Sequence, residues 1–489
     1  MTRMLNLFLL ATLSGPAQQN ACGQLSGLSL PDARITAAEA VAAGPYGQQG
    51  VRLPAHCRVA AVLTPTPDSE IRMEIWMPAD DWNGKFLAVG NGGWAGSISF
   101  AAMAAGLAGG YATASNDTGH TGGSGDFAFG HPEKLVDFAY RAMHEMTVQS
   151  KTLISSFYDR GPRLSYYEGC STGGRQGLMA AQRYPADFDA IIAGAPANPQ
   201  THLHAGDLRR GVEVFNDPAK HLTREQVALV NDAAIRACDG IDLVEDGLIT
   251  DPRMCGFDPG TLLCSGGSGN ACLTAPQVEA VRAGYSAAVL SGGELVFPGF
   301  ARGSESAWTF ITGENNMALN IAPDTFQLAH DNPEWDWREF DLDRDLPLAV
   351  EQVGYINAAR TDLAAFRDRG GKLILYHGWN DQLIAPENTI NYHSGVLGTM
   401  GPDQDGWMRL FMAPGMAHCR GGVGPNQIDF LGALDTWRES GTAPDRITAA
   451  RVSNNQVDMT RPLCPHPRIA KWTGEGSTND AENFVCEMP

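Results

Sequence analysis

The chain has 489 residues, with 35 basic against 55 acidic side chains and a formal net charge of −20. That acidity argues against nucleic acid or an anionic membrane surface as a partner, and the length allows a large core and more than one lobe. The 29 prolines and 56 glycines call for many loops, yet no repeat or low-complexity tract is visible.

In chain order, Arg3 followed by the mostly apolar residues 4–13 reads as a secretory signal, too short to span a bilayer. Small-residue cleavage positions follow at Ala17 or Ala21, and the signal is assigned to residues 1–21. No later segment has the length and apolarity of a membrane span, so no membrane anchor is expected. The ten cysteines (22, 57, 170, 238, 255, 264, 272, 419, 464 and 486) show no CxxC or Cys/His zinc spacing. With the signal, they point to disulfides and a secreted or periplasmic location.

Residues 25–63 read as a leading segment of short strands. Residues 71–77 alternate apolar and polar side chains, which predicts a half-buried strand. Lys85–Val89 is the next strand and runs into the glycine-rich loop Gly90-Asn91-Gly92-Gly93-Trp94. Residues 110–115 predict a strand, 116–125 a polar loop, and 135–158 a long amphipathic helix from apolar residues at helical spacing.

The most informative stretch comes next. Residues 164–167 read as a strand and 175–183 as a helix, and between them lies Gly169-Cys170-Ser171-Thr172-Gly173. A Gly-x-Ser-x-Gly turn between strand and helix is a nucleophile elbow, which lifts the serine Oγ above the sheet. Its place in such folds also gives the glycine-rich loop at 90–94 a meaning: it supplies half of an oxyanion hole, with Gly93 the candidate donor beside Thr172. Residues 188–194 are a further buried strand. The alternation of strands and helices predicts a mostly parallel sheet covered on both faces.

From residue 199 to about 360 the rhythm is broken by four cysteines, several tryptophans and Gly/Ser loops, so 199–360 is read as an inserted lid domain. The catalytic α/β domain then comprises 22–198 and 361–489. Its strand pattern resumes at 372–377 and 409–413, and the tail after Val452 reads as irregular.

An elbow serine requires an acid and a base, in the order Ser, Asp, His. Gly378-Trp379-Asn380-Asp381 follows the first of those late strands and Pro414-Gly415-Met416-Ala417-His418-Cys419 the second. Asp381 and His418 thus sit at strand C-terminal ends, where catalytic groups collect; Asp403 and Asp405 are rival acids. Cys170 precedes the candidate nucleophile and Cys419 follows the candidate base. If these two cysteines pair, Cα atoms about 4.4–6.8 Å apart force Ser171 and His418 together.

These residues carry a resemblance. Gly-Cys-Ser-Thr-Gly-Gly-Arg-Gln (169–176), Ala-Gln-Arg-Tyr-Pro-Ala-Asp-Phe-Asp (181–189), Ala-Gly-Ala-Pro-Ala (193–197), His-Gly-Trp-Asn-Asp (377–381) and Gly-Met-Ala-His-Cys (415–419) resemble the tannase and feruloyl esterase family across nearly the whole mature chain. The resemblance implies an α/β-hydrolase fold with a large inserted lid. It further implies disulfides Cys22–Cys57, Cys238–Cys255, Cys264–Cys272 and Cys464–Cys486, which spacing alone does not select.

Asp239, Asp242 and Asp246 crowd one loop of the inserted segment, and hard oxygen ligands suit Ca²⁺, although the spacing is not that of an EF-hand. The resemblance makes this a structural calcium site whose ligands are those three carboxylates and the carbonyls of Val244 and Leu248. The expected activity is hydrolysis of small esters of aromatic acids, feruloyl or hydroxycinnamoyl, galloyl or terephthalate-type, through an acyl-enzyme on Ser171. A hydrolase of another ester or peptide class, or a binding protein on the same fold, is the alternative. Trp308 is a candidate aromatic wall of the substrate pocket, with a place in the core as its other reading.

Overall fold

The computed structural model describes residues 21–47, 51–266 and 269–489; the expected signal, apart from Ala21, lies outside the described residues. Nine runs rich in apolar residues assemble into one sheet. They are β1 (Ala33–Val41), β2 (His56–Leu63), β3 (Ile71–Pro78), β4 (Lys85–Val89), β5 (Ala112–Asn116), β6 (Leu164–Cys170), β7 (Ala190–Gly194), β8 (Lys372–Gly378) and β9 (Met408–Ala413).

Their spatial order is β1-β2-β3-β5-β4-β6-β7-β8-β9. The first three joins, from β1 through β5, are antiparallel, and the remaining five are parallel. The expected parallel sheet therefore has an antiparallel flank, built by the leading segment. There β1 is a single nine-residue strand, half exposed along its length as an edge permits.

Every residue of β4, β5 and β7 is buried, the signature of strands covered on both faces. Alternate residues of β4 go to opposite cores: Phe86 and Ala88 join one apolar cluster, Leu87 and Val89 another. Helix α1 (Phe100–Ala108) closes the second face with Met103 and Leu107, and α2 (Ala142–Tyr158) and α3 (Thr172–Arg183) close the first with Met146, Leu153 and Leu178. The helix expected over 135–158 is interrupted by a π turn at Asp137–Arg141.

Between β7 and β8 the chain leaves the sheet. Among the described residues, five helices of more than ten residues occupy this stretch: α4 (Gln200–Arg210), α5 (Arg224–Cys238), α6 (Ala275–Tyr285), α7 (Met317–Ala329) and α8 (Leu342–Val353). They surround a third apolar cluster, which Trp94, Phe138 and Ile384 of the sheet's loops also enter. Helices α5 and α6 each begin with a capping box, Thr223/Gln226 and Thr274/Gln277, a device worth about 1 kcal/mol at each helix start.

The tail expected to be irregular is ordered. Ile447–Ser453 pairs antiparallel with Gln456–Leu463 through a two-residue turn at Asn454-Asn455, both at positive φ, the conformation such hairpins demand. Ile469–Trp472 pairs with Phe484–Glu487. Among the described residues, no helix is long and apolar enough to cross a membrane.

Candidate active site

Ser171 links β6 to α3 with φ 64° and ψ −125°, a conformation an L-residue holds only under strain of about 1–3 kcal/mol. The surrounding backbone imposes it. Ser171 N–H donates to Gly194 O at 3.0 Å and Ser171 O accepts from Ala197 N–H at 3.1 Å. A Cβ on Gly169 would lie 2.6 Å from the Gly173 carbonyl carbon, and one on Gly173 would lie 2.9 Å from Asn91 O. Both glycines of the pentapeptide are therefore dictated by close backbone approach.

Asp381 and His418 come from the loops after β8 and β9, which are fastened to each other. Trp379 N–H donates to Ala413 O and Asn380 N–H to Met416 O, each at 2.9 Å. His418 Nδ1 donates to Asp381 Oδ2 at 2.7 Å, which leaves Nε2 uncommitted to the carboxylate. Asp381 is fully buried, and Oδ1 accepts the N–H groups of Leu383 and Ile384 at 2.8 and 2.9 Å. Burial pushes its pKa up, but His418 and the hydrogen bonds from His377 and His418 outweigh it and hold the carboxyl well below the ordinary range. Burial pushes His418 down; the Asp381 charge and hydrogen bond reverse this and leave its pKa raised above 6.5. The rivals Asp403 and Asp405 are exposed, and Asp405 faces Arg409.

Ser171 and His418 line one cavity of about 450 Å³. Cys170 and Cys419 are joined across a sequence separation of 249 residues with Cα atoms 5.9 Å apart, which ties the backbones next to Ser171 and His418 together. The other eight cysteines form the four expected pairs. Gly93 and Thr172 line the same cavity, and Thr172 Oγ1 donates to Gly93 O at 3.0 Å. Thr172 is the first residue of α3, where N–H groups lack intrahelical partners and the helix dipole favours negative charge. Trp94, Leu203, Ile321, Leu383 and Ile384 make the rest of the wall mainly apolar.

Trp308 does not line this cavity. It is 2 % exposed, packed among Tyr285, Phe300 and Phe310, and its indole N–H donates to Ser304 Oγ. Its expected place as a pocket wall is corrected to a core position, where a large ring with one satisfied N–H is best accommodated.

Three supporting residues had no role assigned from sequence, although all lie within the quoted motifs. His377, buried at the end of β8, bridges Thr389 Oγ1 at 2.7 Å and Asp381 Oδ2 at 3.0 Å. Gln176 grips the glycine-rich loop, accepting from Asn91 N–H at 3.1 Å and donating to Asn91 Oδ1 at 3.2 Å. Arg175, fully buried, donates to Ala139 O at 3.0 Å, Phe138 O at 3.3 Å and Ile356 O at 2.9 Å. The first two of those carbonyls belong to the π turn, so the interruption of that helix gives the elbow helix its anchor.

Asp239, Asp242, Val244, Asp246 and Leu248 lie together in the loop after α5. Three carboxylates and two carbonyls are the donor chemistry of a hard divalent cation, so the residue set fits calcium. Among the described residues, however, no three acidic, histidine or cysteine side chains are gathered as a metal cluster. The carboxylates instead bind the loop itself: Asp239 accepts from Asp246 N–H and Gly247 N–H, Asp242 from Val244 N–H and Asp246 from Leu248 N–H, each at about 3.1 Å. Arg461 of the tail hairpin also donates to Asp246. None of the five residues lines the Ser171 cavity.

A family model described as tannase and feruloyl esterase matches residues 57–487. The chain is 37 % identical to an uncharacterized esterase of Xanthomonas campestris, over 98 % of this chain and 92 % of the relative. It is 35 % identical to a probable feruloyl esterase B-1 of Aspergillus flavus, over 88 % and 86 %. Among solved structures, feruloyl esterase B from Aspergillus oryzae superposes with a TM-score of 0.91 at 32 % identity, covering 96 % of this chain and all of that one. Tannin acyl hydrolase from Aspergillus niger shares the fold, with a TM-score of 0.78 at 22 % identity over 94 % and 92 % of the two chains.

Proposed function

The chain belongs to the tannase and feruloyl esterase family and is a carboxylic ester hydrolase; from that premise we propose that it cleaves esters of aromatic acids by a serine acyl-enzyme route. The observation that carries this is His418, hydrogen-bonded to Asp381 and lining one cavity with Ser171. Ser171 Oγ attacks the ester carbonyl and gives its proton to His418 Nε2, while Asp381 orients the imidazole and stabilises its charge. The oxyanion is held by N–H groups of Thr172 and Gly93. His418 protonates the departing alcohol, then activates the water that releases the acid. Hydroxycinnamoyl, galloyl and terephthalate-type acyl groups all suit a mainly apolar wall, and residues 199–360 act as the lid, contributing Leu203 and Ile321 to it.

A panel of hydroxycinnamate, gallate and terephthalate monoesters beside a peptide amide tests this reading. Turnover of at least one aromatic ester series, with the peptide untouched, is expected; faster peptide cleavage would overturn it. Since His418 must be neutral to act and its pKa is raised, kcat/KM should fall as pH drops through a value above 6.5. An acidic limb below that value would mean that Asp381 does not charge-stabilise the base.

The five disulfides support a secreted or periplasmic site of action, where oxidising conditions preserve them. The Cys170–Cys419 bridge closes so long a loop that chain entropy alone suggests ~5 kcal/mol of stabilisation. Its second effect is positional, since about 1 Å of displacement can cost around a hundredfold in rate. Cys170→Ala/Cys419→Ala is expected to lose activity while circular dichroism still reports a folded chain, whereas Cys464→Ala/Cys486→Ala mainly lowers Tm. Full kcat in the 170/419 double variant would reduce that bridge to an ordinary staple.

The loop at residues 239–248 is proposed to bind structural Ca²⁺ through the carboxylates of Asp239, Asp242 and Asp246 and the carbonyls of Val244 and Leu248. A cation that binds only the folded chain stabilises it by mass action. EDTA should lower Tm more than it lowers intrinsic kcat. An unchanged Tm, with no calcium by elemental analysis, would leave the loop closed by Arg461 and its own N–H groups.

A further inference from the structure

One fully buried histidine has no place in the acyl-transfer steps. His377 lies near the end of β8 and does not line the Ser171 cavity. Burying an imidazole strips water from both ring nitrogens, a cost that only hydrogen bonds offset. Both nitrogens of His377 are engaged. Nε2 lies 3.0 Å from Asp381 Oδ2 and 3.0 Å from the Ile384 carbonyl oxygen. An ionised carboxylate and a carbonyl can only accept, so Nε2 carries a proton and donates it. Nδ1 meets the hydroxyl of Thr389, on the helix Glu387–Met400, at 2.7 Å.

The Asp381 carboxylate is thereby bonded on every side. Oδ1 accepts the N–H groups of Leu383 and Ile384, and Oδ2 accepts one imidazole N–H from each of two histidines. Backbone fixes the first oxygen. Without His377, the second would be held by His418 alone, the group whose charge changes in every turnover. The two donors also compete, because each stabilises the carboxylate charge and so lessens what that oxygen offers the other.

Resting on the acyl-enzyme reading above, we infer that His377 is a positioning residue for the reaction: its Nε2–H holds Asp381 Oδ2 in line with His418 Nδ1 and moderates the charge that His418 meets there. A moderated pull matters because His418 must release, to the departing alcohol, the proton it took from Ser171. An aspartate with that oxygen uncompensated would keep the imidazolium charged and slow the release. The titratable groups that face Asp381 are His418, from the loop after β9, and His377; Asp207 of α4 and Tyr376 of β8 are coupled to its charge.

The test replaces His377 by leucine, which has no donor, and by glutamine, whose amide N–H reaches the place of Nε2. His377→Leu should lower kcat about 10-fold or more with little change in KM, through lost alignment of the base. It should also move the acidic limb of kcat/KM to higher pH, by roughly half a unit or more, because Asp381 then pulls harder on the His418 proton. Asp381→Asn moves the same limb down, so the two variants part in opposite directions. His377→Gln should bring the limb back towards wild type and recover most of the lost kcat. A folded His377→Leu chain whose limb stays or falls overturns the inference, since losing a merely structural histidine would loosen the aspartate and weaken its pull. A second measurement does not depend on the His377 variants folding. With ¹⁵N-labelled histidine, two low-field imidazole N–H signals should be lost on Asp381→Asn; loss of one alone also overturns the inference. Should the wild-type chain hydrolyse no ester, it is the acyl-enzyme reading that fails, while the ¹⁵N spectra still report on His377.

Discussion

Ser171→Ala abolishes ester hydrolysis, with an expected loss on the order of six decades in kcat, the scale on which a serine hydrolase loses its nucleophile. The substitution removes one oxygen at a turn whose path is set by Gly194 O, Ala197 N–H and the contacts of Gly169 and Gly173. Alanine tolerates φ 64° no better than serine does, so Tm should change little. Ser171→Gly separates the two contributions: it is equally inactive, yet gains about 1 kcal/mol in stability by releasing the backbone strain. Activity assays paired with thermal melts check both. A folded Ser171→Ala chain with near-normal turnover would remove Ser171 from the mechanism.

Asp381→Asn is expected to cost about four decades in kcat. The asparagine can keep its carbonyl on the N–H groups of Leu383 and Ile384, but its NH₂ then faces His418 Nδ1. That turns Nδ1 into an acceptor and puts the proton on Nε2, the nitrogen that has to receive the serine's proton. Loss of the carboxylate also withdraws what raises the His418 pKa, so the acidic limb of any residual activity should shift to lower pH. Asp403→Asn and Asp405→Asn, both at exposed positions, should leave kcat within a few-fold of wild type. A reversal of that order, with Asp405→Asn crippling and Asp381→Asn active, would mean that the acid is misassigned.

The central strands were legible because burial on both faces demands continuous apolar runs, as in Lys85–Val89 and Ala190–Gly194. The elbow was legible because steric exclusion writes glycine at 169 and 173. Pairing across the chain was not legible from spacing: that His377 would bridge Thr389 to Asp381, or Arg175 reach the Phe138 and Ala139 carbonyls, depends on contacts between distant segments. The π turn escaped detection because its apolar residues still follow a helical period on either side. In the tail, Asn454-Asn455 was an available turn signal, masked by the charged and polar residues of the strands it joins. Trp308 shows the limit of composition, since a tryptophan in an inserted lobe serves a core as well as a pocket, and only its neighbours decide between them.

The mechanism turns on Ser171, activated by His418, being the residue acylated in turnover. A fluorophosphonate ester provides the most direct measurement, because it reacts covalently only with a serine whose base and oxyanion donors are in place. After inactivation, proteolysis and mass spectrometry of the peptides should locate one phosphonyl adduct, on Ser171, with labelling lost in Ser171→Ala and strongly slowed in Asp381→Asn. An enzyme that hydrolyses aromatic esters yet carries the adduct on another residue, or none at Ser171, would place the nucleophile elsewhere.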